Sequence, residues 1–183
     1  MSDKRTQADF SKHELTVKEF DIDGKKLTIH HFKQKDCRNL EVKITNFDGH
    51  CTITGDLGNY IACREFIPTA NIIISDYYFC EKLSIASTQK VFEYDSDEQI
   101  KYFKECKIEW VEGIKESDEI ESIEESFDEL INSCENEFEL YKALENSDLE
   151  FDEFQPEQKI ETWLLMIFDA FEEIGRRLAR EVE

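Results

Sequence analysis

The apolar period of this chain changes once along its length, and that change limits what it can fold into. In the first third apolar residues alternate with polar ones. From Asp95 they recur every three or four positions, the spacing of a helix that buries one stripe. ELTVKEFDI and KKLTIHHF flank Asp23-Gly24, and NLEVKITNF and HCTITGD flank Asp48-Gly49. A D-G pair between alternating runs predicts a tight hairpin turn. NYIACREFI follows the Gly55-Asp56-Leu57-Gly58 turn. The pattern predicts an α+β fold: an N-terminal antiparallel β-meander of four or five strands packed with a C-terminal acidic helical bundle.

Leu15, Val17, Phe20, Ile22, Leu27, Ile29, Leu40, Val42, Ile44, Ile53, Ile61 and Cys63 are expected to supply one apolar sheet face, which helices must cover. The first helix is SDYYFCEKLSIAS, with Ser75 as its N-cap. Ile100, Phe103, Lys107 or Cys106, Trp110 and Ile114 then form one helical stripe. Ile120, Ile123, Phe127, Leu130, Cys134, Phe138 and Tyr141 form a second, with Gly113 and Ser117 at the break. A last helix is expected from Pro156 through Leu178. The expected organisation is a flexible N-terminus over 1–13, a net-neutral sheet with one helix over 14–90, and an acidic helical region over 91–183.

Charge separates these regions sharply. The net charge is −21; residues 1–90 carry 13 Lys+Arg and 13 Asp+Glu, and residues 91–183 carry 9 and 30, so the second half holds all of it. Solubility requires a magnitude of only roughly 2 to 8. Between Lys115 and Lys142 lie 26 residues with 11 carboxylates. Read as one helix, this segment would span about 39 Å, one negative charge per about 3.5 Å. Phosphates along one DNA strand are spaced by roughly 3.4 Å. With Ile120, Ile123, Phe127, Leu130, Cys134 and Phe138 facing inward, the outward positions include Asp118, Glu121, Glu125, Asp128 and Glu129. These are the candidate partner-binding residues, followed by Asp148, Glu150, Asp152 and Glu153 in the stretch ENSDLEFDEFQ. That stretch reads as a helix connection whose aromatic residues fold back on the core, or as an edge strand, a lid or a docking segment.

The sequence offers little chemistry. Six cysteines lie scattered without a C-x-x-C pair and without a preceding apolar leader, the pattern of reduced thiols in a cytoplasmic protein. His13, His30, His31 and His50 lack metal-ligand spacing, and His30 and His31 must point to opposite sheet faces. No nucleotide-binding or hydrolase signature is present. No metal, cofactor or catalytic role is therefore expected, and neither is a membrane-spanning segment. Lys25, Lys26, Lys33, Lys35 and Arg38 lie near His30, His31 and Phe32, but the whole molecule would repel a nucleic acid on its own. A carboxylate array instead suits a basic protein that receives DNA.

The block CTITGDLGNYIACREFIPTANIIISDYYFCEKLS, with its G-D-L-G turn at Gly55 to Gly58 and a Y-x-x-E-K-L helix at Tyr78 to Leu83, resembles proteins encoded by phages and mobile elements of Gram-positive bacteria. In length, charge and apparent origin the whole chain is similar to anti-CRISPR proteins that inhibit the type II RNA-guided nuclease, a class without a shared motif. The resemblance implies a non-enzymatic inhibitor in the bacterial host cytoplasm that binds the nuclease and its guide RNA where DNA should go. Such nucleases hold their heteroduplex in a basic channel. The alternatives are an acidic DNA-mimic inhibitor of another DNA-binding protein, such as a restriction enzyme or repressor, and a non-inhibitory phage interaction protein.

Overall fold

Two hairpin turns set the architecture. Strands β1 (His13–Ile22) and β2 (Lys25–Gln34) meet at Asp23 and Gly24, with φ of 52° and 76°. β3 (Cys37–Phe47) and β4 (His50–Gly55) meet at Asp48 and Gly49, with φ of 50° and 77°. Two successive left-handed residues are what a type I′ turn requires, and its twist matches that of the strands it joins. Gly55 lies at φ 139°, where an added Cβ would fall 2.0 Å from the Glu41 carbonyl oxygen, so no side chain fits there. β5 (Tyr60–Ala62) completes an antiparallel sheet of order β1-β2-β3-β4-β5.

Then follow α1 (Asp76–Leu83), β6 (Phe92–Tyr94), α2 (Ser96–Val111), α3 (Ser117–Asn132), α4 (Glu137–Asn146), β7 (Gln158–Ile160) and α5 (Thr162–Arg180). The fold is α+β, with an N-terminal five-stranded antiparallel sheet followed by a helical region. This computed structural model describes residues 8–69, 76–83, 90–112, 114–149, 151 and 154–180; Ser75 and Gly113 lie outside them.

The chain gathers into two units, Met1–Val91 with Ile160–Glu183, and Phe92–Lys159. This differs from the single boundary at residue 90 read from the sequence. α5 buries Leu164, Ile167, Phe168, Ala170, Phe171 and Ile174, and in the first unit the Phe79 ring meets Phe168 at 5.2 Å and Phe171 at 5.4 Å. The second unit is thus an insertion in the chain of the first. Pro156 does not open the last helix: Gln158–Ile160 is a strand that pairs with β6, and α5 begins after Glu161, whose carboxylate accepts from Leu164 N at 3.1 Å.

Register decides which sheet residues are core. Thr28, His30, Phe32, Val42, Ile44, Asn46, Cys51, Ile53, Tyr60 and Ala62 are buried, joined by the cross-strand pairs His30↔Ile44, Phe32↔Val42, Ile44↔Ile53 and Ile53↔Tyr60. Leu27, Ile29, Phe20, Ile22 and Ile61, expected on that same face, have the opposite parity, and Phe20, Ile22 and Ile61 are exposed. Polar residues hold the inner positions instead. Asn46 is satisfied there, donating to Phe66 O at 3.0 Å and accepting from Phe66 N at 2.7 Å.

Over residues 8–13 the start of the chain is held rather than free. Phe10 and His13 are 5% and 2% exposed, and residues 1–7 lie outside those described. Arg177 on α5 ties this segment down: it donates to Phe10 O at 2.9 Å and to His13 O, ion-pairs with Glu173, and lies 4.9 Å over the Phe32 ring.

His30 gives the first unit a pH dependence. Its side chain is 3% exposed, and burial, opposed only by Glu19, holds its pKa below the ordinary histidine range. A histidine depressed in the folded state leaves stability whole above its unfolded pKa of about 6.5 and withdraws it as pH falls below that value toward the folded pKa. The chemical-denaturation midpoint is expected to drop between about pH 7 and about pH 5.5. His30→Gln should make that drop smaller; an unchanged drop would show that carboxylates alone cause it.

Candidate functional site

The acidic stretch is two helices, not one. After Asn132 the backbone turns through residues 133–136, and Asn136 caps α4 by accepting from Glu139 N at 2.9 Å. An N-x-x-E pattern there marks a helix start. Cys134 and Phe138 continue the apolar spacing across it and mask the break. The inward residue of α4 is Leu140, and Phe138 is exposed.

The charge density survives on the shorter helix. α3 carries Asp118, Glu119, Glu121, Glu124, Glu125, Asp128 and Glu129 on 16 residues. At about 1.5 Å per residue this is one carboxylate per roughly 3.4 Å. Phe127, Leu130 and Cys134 are fully buried, with Ile123 and Ile131 packed beside them. Asp118, Glu121, Glu125, Asp128 and Glu129 project from the opposite side within an arc of roughly 100° and are all exposed. The predicted ridge therefore exists on one helix. Of its members Asp128 is engaged, accepting from Lys107 of α2 at 2.8 Å.

Helix stability does not account for this arrangement. Acids in a first turn complement the helix dipole, but α2, α3 and α4 all lack a basic residue in the last turn, and α3 ends on Asp128 and Glu129. Glu121–Glu125, Glu124–Asp128 and Glu125–Glu129 are like-charge pairs at i,i+4; Asp118–Glu121, Glu121–Glu124 and Glu125–Asp128 are such pairs at i,i+3. At roughly 0.2 to 0.5 kcal/mol each they cost on the order of 1 to 3 kcal/mol. The second unit holds 6 Lys+Arg and 24 Asp+Glu, net −18, leaving −3 of the total −21 for the first.

The connection after α4 folds inward. Leu149 is buried, Phe151 stacks on Trp110 with centroids 5.5 Å apart, and Phe154 stacks on Phe103 at 5.8 Å. Asp148 is exposed beside Leu149. Glu150, Asp152 and Glu153 lie outside the described residues, so the ridge on α3 and Asp148 make up the described part of the predicted surface.

Among the described residues no three histidine, cysteine or acidic side chains come together in a way that could hold a metal. His30 and His31 do face opposite sides; His31 Nε2 meets Glu41 Oε1 at 2.7 Å on the outer face. Burial pushes the Cys51 thiol up to about 12, away from thiolate chemistry. A cavity of about 550 Å³ beside the N-terminal segment is lined by Asp9, Asp169, Glu172, Glu173 and Arg176 together with Ala8, Phe10 and Ser11, and brings in no thiol or imidazole. No helix of the described residues is long and apolar enough to cross a membrane. No protein family, curated protein or solved structure matches the chain.

If the ridge costs stability, removing its charge should return some. The variant with Asp118→Asn, Glu121→Gln, Glu125→Gln and Glu129→Gln, which keeps the Asp128–Lys107 pair, should be more stable by about 1 kcal/mol at low salt. The gain should shrink toward zero by about 1 M salt, where screening is nearly complete. Thermal melts across a salt series test this, and a less stable variant would mean that the carboxylates support the helix.

Proposed function

We propose that the protein is a non-enzymatic inhibitor whose acidic second unit occupies a basic, DNA-accepting cleft of another protein. The observation that carries the reading is the ridge on α3: the helix holds seven exposed carboxylates at the linear density of phosphates, gathers five of them within one arc of roughly 100°, and retains them against their own repulsion. Placing such an array in a cleft lined by lysine and arginine releases counterions from both surfaces, which favours the complex much as it favours DNA binding.

The partner proposed is a type II CRISPR nuclease loaded with its guide RNA, whose channel has the required charge. Binding there would exclude target DNA. A restriction enzyme or repressor presents the same kind of cleft and is the alternative partner.

The test is target-DNA cleavage by the guide-loaded nuclease with increasing amounts of the protein. Wild type should inhibit stoichiometrically. Asp118→Lys, Glu121→Lys, Glu125→Lys and Glu129→Lys together should weaken inhibition at least about tenfold, or about 1.4 kcal/mol. Single reversals should do little, because exposed charges act collectively and are screened within about 8 Å. Rising salt should weaken wild-type binding steeply and the reversed variant much less. An equally inhibitory variant with the same salt slope would reduce the ridge to a solvated helix face. A wild-type protein that leaves the nuclease active but captures another DNA-binding protein in a salt-dependent manner would select the alternative partner.

A further inference from the structure

Helix α4 has a feature that the ridge on α3 leaves unexplained. Its inward positions are filled: Leu140 is fully buried, and Ala143 and Leu144 pack against the core. Phe138 has no place among them and is 74% exposed, the most exposed large hydrophobic side chain among the described residues. At roughly 100° per residue, Tyr141 and Glu145 share its face, while Glu137 and Glu139 flank it on either side. Tyr141 is also exposed and is steadied by Phe154, whose ring it meets edge-on at 6.3 Å. Lys142 on this face reaches Glu139 at 4.0 Å, a long exposed pair that a better cation can displace.

A single exposed aromatic residue needs no explanation. An aromatic pair rimmed by carboxylates is a more particular environment. The face of a ring attracts a cation within about 6 Å of its centroid, more often a guanidinium than an ammonium. A carboxylate beside it accepts the planar N–H fork of the same guanidinium in a bidentate pair. Lysine offers neither the plane nor the fork.

We propose that the Phe138–Tyr141 face of α4, rimmed by Glu137, Glu139 and Glu145, is an arginine-binding anchor for the basic partner: a partner guanidinium stacks on Phe138 and donates to the flanking carboxylates. This rests on the acidic unit being a surface for a basic protein. The ridge on α3 supplies long-range attraction for any cation, and α4 discriminates arginine from lysine.

The test uses the full chain with fluorescent arginine and lysine homopeptides of equal length at physiological salt. Wild type should bind the arginine peptide tighter by about threefold to fivefold, the yield of one exposed cation–π contact. Phe138→Ala should remove that preference and leave lysine-peptide affinity unchanged. Phe138→Leu, which keeps apolar area but loses the ring, should behave like the alanine variant. Circular dichroism should show all variants folded, as the side chain is exposed. Equal wild-type affinities, a preference that survives Phe138→Ala, or one kept by Phe138→Leu would overturn the anchor. Reversal of the α3 ridge should weaken both peptides alike; if it weakens neither, the acidic-surface reading fails, whatever the preference.

Discussion

Ring packing against carboxylate repulsion is the contest that decides the second unit. Phe103 lies nearly parallel to Phe154, with an interplanar angle of 8°, Phe151 stacks on Trp110, and Phe127 meets Trp110 edge-on at 5.6 Å. Each such pair contributes roughly 0.5 to 1.5 kcal/mol beyond its buried area, whereas each like-charge pair on α3 costs a few tenths. The rings win, so the surface can carry charge that would expand a weaker core. Two of them, Phe151 and Phe154, come from the chain beyond α4, so the exit segment closes the same core that the helices begin.

The first unit is held on different terms. Its sheet core admits polar residues and gives two of them partners: Asn46 closes a two-way bond with Phe66, and His13 Nε2 lies 3.1 Å from Asn39 O. Arg177 accounts for three attachments at once, two backbone carbonyls and the face of Phe32, beside its ion pair with Glu173. With only −3 of the charge on this unit, such neutral and locally paired contacts are enough. Charge and fold are partitioned together.

Much of this was legible in the residues. The two D-G turns, the meander, the change of period and the opposite facing of His30 and His31 follow from local rules. Sheet parity did not, because His30, Thr28 and Asn46 occupy inner positions where an apolar residue is expected, while Phe20 and Leu27 sit outside. A period-two pattern cannot show which of two mixed faces is covered. The break at residues 133–136 was hidden because Cys134 and Phe138 keep helical spacing across it, although Asn136 and Glu139 carried the capping signal. The grouping of α5 with the sheet depends on contacts between residues far apart in sequence, which periodicity never encodes. On α3 the outward carboxylates were readable, since inward apolar positions fix outward ones; the bond from Lys107 to Asp128 was not, because it joins two helices.

The strands β6 and β7 have a consequence for the history of such a chain. Asp95 N donates to Glu157 O at 2.9 Å within the inserted unit, and Glu161 N donates to Val91 O at 3.0 Å within its host, so the entry and exit of the insertion run side by side. An insertion with adjacent ends can be lengthened, exchanged or lost without rerouting the sheet around it. Selection can then act on the acidic unit as a cassette: its helices can diverge while the host keeps its hairpins, its buried histidines and its arginine clamp.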